Sequence, residues 1–240
     1  MRKHIFSLAI IAMNLIMWAI AYPHISGQVP IHWSSSGEID RYASKMEAML
    51  AMIGLLVFVY VLMFLTPKID PRRKNYQLFS KTYYILINAM LLIFSLINVL
   101  VIMTGLGYDL PAGSIVPVLV GALLIVIGNY LPRVRSNFFF GIKNPWTLSS
   151  DSIWKKTHRF AAKVFTLAGL LIAADGLLSI SPEIMLPVIL ATVLAPYIYS
   201  YVLYRKEINM KKLRRFKKAP IWSLFSFSSE KAALLGSRFS

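Results

Sequence analysis

An all-α membrane protein, a six-transmembrane-helix bundle with N-terminus and C-terminus cytoplasmic, is what this sequence predicts. Three observations carry that prediction. The 240 residues are 57% hydrophobic and only 15% charged, whereas a soluble domain carries roughly 25% charged residues to wet its surface. Six apolar runs are each long enough to cross about 30 Å of hydrocarbon as a helix, which takes roughly 17–25 residues. Finally, when the connections are assigned alternately to two sides, every Lys and Arg except Arg41 and Lys45 falls on the same side. By the positive-inside rule that side is the cytoplasm.

The runs are Ile5–Ala21, Met46–Leu65, Tyr83–Met103, Ala112–Leu131, Phe160–Ser179 and Ile184–Tyr204. None alternates in polarity as barrel strands do. Proline punctuates them: Pro67 and Pro71 follow the second, Pro111 precedes the fourth, Pro132 closes it and Pro182 sits in the fifth turn. Ser44 and Glu47 have capping-box spacing at the start of the second run. The first run, preceded by Arg2 and Lys3 and ending in Ala19-Ile20-Ala21, imitates a secretory signal. Its length and its interfacial Trp18 and Tyr22 favour a retained span. The chain divides on this reading into an N-terminal membrane domain (residues 1–66), a four-helix membrane domain (67–204) and a basic tail (205–240).

The net charge of +16 is thereby a topogenic signal and a contact with anionic lipid headgroups, with no direct nucleic acid implied. With no cysteine, disulfides, thiol catalysis and thiolate metal sites are excluded. The tail from Arg205 to Lys218 interleaves Leu213 and Phe216 with Lys and Arg. It reads either as a juxtamembrane patch on anionic lipid or as a docking surface for a cytoplasmic partner. Beyond Pro220 the Ser- and Phe-rich stretch has no periodicity and is expected to be poorly ordered or to lie on the membrane.

Two connections are too particular to be mere linkers. The first loop contains Val29-Pro30-Ile31-His32-Trp33, then Gly37-Glu38-Ile39-Asp40 and Lys45. Its prolines favour extended backbone, so the first segment reads as a short edge strand or a stretch lying across the membrane surface. His24, His32, Glu38 and Asp40 supply metal-compatible atoms, but in no ligand spacing. A structural cap over the helix ends and a pH-sensitive or peptide-facing surface are the readings that remain. The fourth loop contains Phe138-Phe139-Phe140-Gly141-Ile142-Lys143-Asn144-Pro145-Trp146-Thr147-Leu148. Such a stretch belongs in the interface, rings among headgroups and cations toward phosphate. Ser149 or Ser150 can cap a following helix, on which Trp154 and His158 share a face beside Lys155 and Arg159. No nucleophile with an oriented base is visible, so no enzyme and no cofactor are predicted. His158 reads as a headgroup or carbonyl partner.

Within the spans Asn14, Asn88, Asn98 and Asn129 are candidates for stitching helices. Asp175 must be hydrated near an interface, paired, or functional in ion coupling. The last option gives the alternative function, a small transporter or ion pathway.

The two loop motifs together resemble the SdpI family. Pro30-Ile31-His32-Trp33 with Gly37-Glu38-Ile39-Asp40 and Ser44-Lys45 is similar to the short uncharacterised membrane domain that opens many members. Gly141-Ile142-Lys143-Asn144-Pro145-Trp146-Thr147-Leu148, then Trp154 and Lys156-Thr157-His158-Arg159-Phe160, resembles the signature of the SdpI domain itself. The resemblance covers residues 8–204. Lys143-Asn144 departs from the Arg-Thr common in the family, which removes a guanidinium fork. The resemblance implies a multi-pass protein of the bacterial cell membrane that protects against a secreted membrane-active peptide toxin. It also implies a receptor that holds a small winged-helix repressor at the membrane. On that implication Pro30, His32, Trp33, Gly37, Asp40 and Lys45 form a toxin-sensing outer loop. Gly141, Lys143, Pro145, Trp146, Thr147, Trp154, His158 and Arg159 form a cytoplasmic effector or membrane-anchoring loop.

Overall fold

The computed structural model describes residues 4–25, 27–34 and 37–218, with side chains to Lys211. Arg2, Lys3 and the stretch beyond Pro220 lie outside the described residues. Two units divide the chain between Ser200 and Tyr201. Helix α1 (Ile5–Ala21) is followed by a hairpin of strands β1 (Gln28–Trp33) and β2 (Ile39–Ser44). Then come α2 (Lys45–Ile69), the short α3 (Asn75–Leu78), α4 (Ser80–Gly105), α5 (Ala112–Tyr130), the short α6 (Pro145–Ser149), α7 (Asp151–Leu178) and α8 (Met185–Lys218). The six long helices are each long and apolar enough to cross a membrane. Their alternation puts the hairpin at one end of the first unit and the α2–α4 and α5–α7 connections at the other, the basic end.

The helices outrun the apolar stretches where polar residues still favour helix. Helix α7 starts at Asp151, nine residues before its apolar run, and α8 continues through the basic segment to Lys218. Helix α2 passes its expected stop at Pro67 and ends at Ile69. Proline has no N–H, so the carbonyl of Met63 loses its helical donor. The Tyr83 hydroxyl from α4 donates to that carbonyl at 2.7 Å, which binds the two helices where the ladder is broken. At the other end of α2 the capping box forms as expected: Ser44 Oγ accepts from Glu47 N–H at 3.3 Å and Glu47 Oε2 accepts from Ser44 N–H at 2.9 Å.

Helices α1 and α4 are joined by a buried polar ladder. Ser7 donates to Asn88 at 2.6 Å, Asn14 to Ser95 at 2.7 Å, Asn98 to Asn14 at 2.6 Å, and the Trp18 indole to Asn98 at 2.9 Å. Residues 7 and 14 meet 88 and 95, one heptad apart on each helix, so the rungs lie along one seam. Interhelical bonds of this kind contribute about 0.6 kcal/mol each in membrane proteins. Their larger effect is on register, because a slip would strand several amides in an apolar medium. Asn129, by contrast, is exposed on the last turn of α5.

Helices α5 and α7 meet backbone to backbone. A Cβ on Gly121 would lie 2.5 Å from the carbonyl oxygen of Gly169, and one on Gly169 would lie 2.5 Å from that of Gly121. A Cβ on Gly128 would lie as close to Thr166, and one on Gly176 would lie 2.8 Å from the carbonyl of Ser114. Small residues at such an interface let dispersion act between backbones where no hydrophobic force separates helix from lipid. At the far end of α7, Ser179 takes a left-handed conformation (φ 50°) and closes the helix by donating to the Asp175 carbonyl at 2.7 Å. The Asp175 carboxylate accepts the Ser181 N–H at 2.8 Å. This acid is buried near the end of its helix, where its carboxylate completes a turn.

Two apolar clusters fill the first unit. One, at the hairpin end, packs Trp18, Ile25, Val29, Ala48 and Val101. The other, toward the basic end, packs Leu56, Tyr76, Phe79, Tyr83, Leu86 and Trp154.

Candidate functional site

At the hairpin end, β1 and β2 pair antiparallel, with irregular register between Pro30 and Trp33. Of the two readings for residues 29–33, an edge strand or a stretch across the membrane surface, the strand is present, and its partner strand was not anticipated. Val29 and Pro30 are buried, and Gly105 at the end of α4 leaves room for the Val29 methyls, 3.2 Å from where its Cβ would stand. Gly37, at φ +83°, turns the hairpin tip against Gly113 at the start of α5. Lys45 ties down the end of α1: its ammonium donates to the carbonyls of Tyr22 at 3.3 Å and Ile25 at 3.4 Å and lies over the Tyr22 ring. A cation on carbonyls at a helix C-terminus is favourable. Trp33 is half-buried against the cluster below. His32 and Asp40 stand on the open face, Nδ1 and carboxylate 2.6 Å apart and both about half exposed. Of the six outer-loop candidates these two are the groups most open to a partner.

The α5–α7 connection at the basic end is a knotted loop and not a floppy interfacial one. Asn137, fully buried, organises its first half: the side-chain oxygen accepts from the N–H groups of Phe139 (3.0 Å) and Phe140 (2.6 Å), and the amide donates to the carbonyls of Arg135 and Phe140. Gly141 then turns the chain at φ +100° beneath His158. The Ile142 N–H donates to His158 Nε2 at 3.2 Å, while His158 Nδ1 faces the Trp154 carbonyl at 2.9 Å. The imidazole that fits both contacts is neutral, with its proton on Nδ1. It stacks on the Trp154 ring at 4.1 Å, and the Trp154 indole donates to the Val134 carbonyl at 2.9 Å. Two side chains four apart on α7 therefore hold the loop at two points.

Asn144 and Pro145 start α6. Pro145 occupies the first helical position, where no N–H is needed. The Asn144 side chain accepts from Thr147 N–H at 2.9 Å and the Thr147 hydroxyl accepts from Asn144 N–H at 3.0 Å. The Asn144 amide also donates to the Ser200 hydroxyl at 2.8 Å, and Trp146 packs edge-on against Tyr197, so the loop grips α8 as well.

The α2–α4 connection is fastened to the same loop. Buried Asp70 accepts from Arg72 N–H at 2.6 Å, Phe138 N–H at 2.8 Å and the Tyr76 hydroxyl at 3.0 Å. Burial first, and then the adjacent Asp70 charge, push the Tyr76 phenol well above its ordinary range, so it remains a donor. The Arg72 guanidinium bonds the Ser136 hydroxyl and the Leu148 carbonyl and lies over the Phe138 ring; Asn75 donates to the Ser136 carbonyl at 2.7 Å.

Burial divides the eight cytoplasmic-loop candidates. Thr147, Trp154 and His158 are buried; of the two partners read for His158, a headgroup or a carbonyl, it faces a carbonyl, that of Trp154. They set the shape of the loop. Lys143, Pro145 and Arg159 are exposed and Trp146 is half-buried, so these form its outer surface, with Phe138 and Phe139 beside them. Asp70, Arg72, Tyr76, Asn137 and Asn144 were not among the candidates although they hold the loop together. The available signal was Asp70, an acid isolated ahead of Arg72-Arg73-Lys74.

Comparison with known proteins places these features. Residues 9–57, which cover α1, the hairpin and the first half of α2, match the model of a domain of unknown function, DUF1648. Residues 133–201, which cover the knotted loop, α7 and α8 to the unit boundary, match the SdpI/YfhL protein family. The immunity protein SdpI of Bacillus subtilis (strain 168) is 27% identical over 208 residues, which span 86% of this chain and 98% of that protein. No solved structure matches. The two matches fall on the two motifs, in the order in which the motifs occur. The chain is a multi-pass membrane protein similar to the SdpI/YfhL family over residues 133–201 and to DUF1648 over residues 9–57.

Proposed function

We propose that this protein is an SdpI-type immunity protein of the bacterial cell membrane, protecting its host against a secreted membrane-active peptide toxin. The observation that carries the reading is the alignment with an immunity protein along almost its whole length. In this reading the positive-inside rule sets the orientation: both termini and the knotted loop face the cytoplasm, and the hairpin with His32 and Asp40 faces outward. The hairpin meets the toxin. The outer surface of the knotted loop, Lys143, Pro145, Trp146 and Arg159, is where a small winged-helix repressor would be held, and the basic α8 extension lies along anionic headgroups. His158 is engaged in two structural bonds, to the Ile142 N–H and the Trp154 carbonyl.

The test is expression in a bacterium killed by such a peptide. Survival rises if the reading is correct, and unchanged killing despite verified membrane insertion refutes it. Orientation is tested separately. The chain has no cysteine, so single cysteines at Tyr42 and Lys155 can be labelled with an impermeant maleimide. Tyr42→Cys reacts in intact cells and Lys155→Cys only after permeabilisation.

A further inference from the structure

We propose that the groove between the end of α2, the Arg73–Lys74 turn and the first turns of α4 holds the headgroup of an anionic phospholipid. The groove measures about 630 Å³ and is lined by Pro67, Arg73, Lys74, Tyr76, Ser80 and Tyr83, among others. Arg73 and Lys74 are exposed at its rim and, among the described residues, neither has an acidic partner. The Tyr76 and Tyr83 hydroxyls are turned away from the groove's needs: Tyr76 donates to Asp70 and Tyr83 to the Met63 carbonyl. Both rings are buried in the core, and the apolar surface beneath the cations is that of half-buried Pro67 and Tyr84. Cations at a rim and an apolar wall below suit a phosphate that has glycerol and acyl carbon behind it. A free anion would gain nothing from the rings. Ile69 and Leu78, 60% and 69% exposed, flank the turn with further apolar surface at the same level. Basic pockets between membrane helices take anionic headgroups in this way.

Charge also selects this groove over its neighbour. A second groove, about 570 Å³, also borders Arg73 and Lys74, but Asp151 lines it. Its additional cation, Arg72, is already committed to Ser136 and Leu148. A carboxylate beside the phosphate and an engaged guanidinium both disfavour that position. The tyrosine-lined groove contains no acid. This site does not depend on the immunity reading.

The experiment is lipid binding by the full chain in detergent, followed by native mass spectrometry, with phosphatidylglycerol, phosphatidylcholine and glycerol phosphate as probes. A basic residue near an anionic surface contributes about a factor of five in affinity, so Arg73→Gln with Lys74→Gln lowers phosphatidylglycerol affinity about 25-fold. Lys155→Gln with Lys156→Gln, two exposed α7 cations outside the groove, changes it less than about twofold by the same argument. Gln77→Trp, at an exposed position lining the groove, weakens binding while both cations remain. The proposal is overturned if the Arg73/Lys74 variant binds phosphatidylglycerol like the parent, or if Gln77→Trp does. It is also overturned if phosphatidylcholine binds equally well, or if glycerol phosphate competes at the same concentration, which would make the occupant a free anion.

Discussion

Replacing Gly141 by alanine attacks the knotted loop at a single atom. The new methyl would stand 2.5 Å from His158 Nε2, where ordinary contact begins at 3.4 Å, and Gly141 has φ +100°. The left-handed backbone costs a non-glycine residue about 1–2 kcal/mol. The imidazole cannot swing aside freely, because one face stacks on Trp154 and Nδ1 is bonded to the Trp154 carbonyl. Opening the gap therefore breaks the Ile142–His158 hydrogen bond, a further loss of about 0.5–1.5 kcal/mol. The total, about 2–3 kcal/mol, corresponds to a fall in melting temperature of about 5–10 °C for a chain of this size. The assay is thermal unfolding in detergent, with hydrogen exchange at the Ile142 amide as the local readout. His158→Ala in the same background removes the obstacle, so the second substitution should cost much less than it does alone. An unchanged melting temperature, or strictly additive effects of the two substitutions, would refute the reasoning.

Other outcomes follow from the same geometry. Asp70→Ala leaves the Phe138 and Arg72 N–H groups without their acceptor; exchange at Phe138 should accelerate about tenfold or more, given about 1–3 kcal/mol per orphaned buried donor, and protection equal to the parent's would show that the two loops are not tied through this acid. Asn98→Leu removes the partner of both Trp18 and Asn14; it should lower stability by about 1–2 kcal/mol, and a variant at least as stable as the parent would dismiss the ladder as incidental. Gly169→Leu cannot be housed 2.5 Å from the Gly121 carbonyl and should abolish cross-linking between cysteines placed on α5 and α7, whereas intact cross-linking would contradict the backbone contact. Asp40→Ala should leave melting within a degree or so, since exposed ion pairs contribute about 0–1 kcal/mol, yet reduce protection in the survival assay; full protection would exclude the His32–Asp40 face from toxin contact.

The spanning helices were legible because hydropathy is a sum over about twenty residues, and errors at single positions cancel. Ile5–Ala21 is recovered residue for residue and Ala112–Leu131 to within one. Where the reading stopped short, polar residues were the cause. Hydropathy marks where a helix leaves hydrocarbon and not where it ends, so the start of α7 at Asp151 was legible only from the Ser149–Ser150 cap position, and the extension of α8 to Lys218 carried no apolar signal. Pro67 was read as a terminator because its lost donor is visible in the sequence, while the replacement, Tyr83, lies on another helix. The motif residues were found as letters, but their roles are set by depth: His158 and Arg159 are neighbours, one wholly buried and one exposed. Asp70 was passed over because its partners, at Tyr76 and Phe138, include one from a connection more than sixty residues away.

Helix α4 touches both faces of the molecule to which function has been assigned. At one end Gly105 receives the Val29 side chain of the hairpin; at the other the Tyr83 ring packs edge-on against Phe140 of the knotted loop, 5.7 Å between centroids. Its 26 residues make a rod of about 39 Å at 1.5 Å per residue. In the proposed reading, a peptide leaning on the hairpin pushes on a stiff rod whose far tip already bears on the opposite face, a route for news of its arrival to cross the bilayer through packed side chains alone.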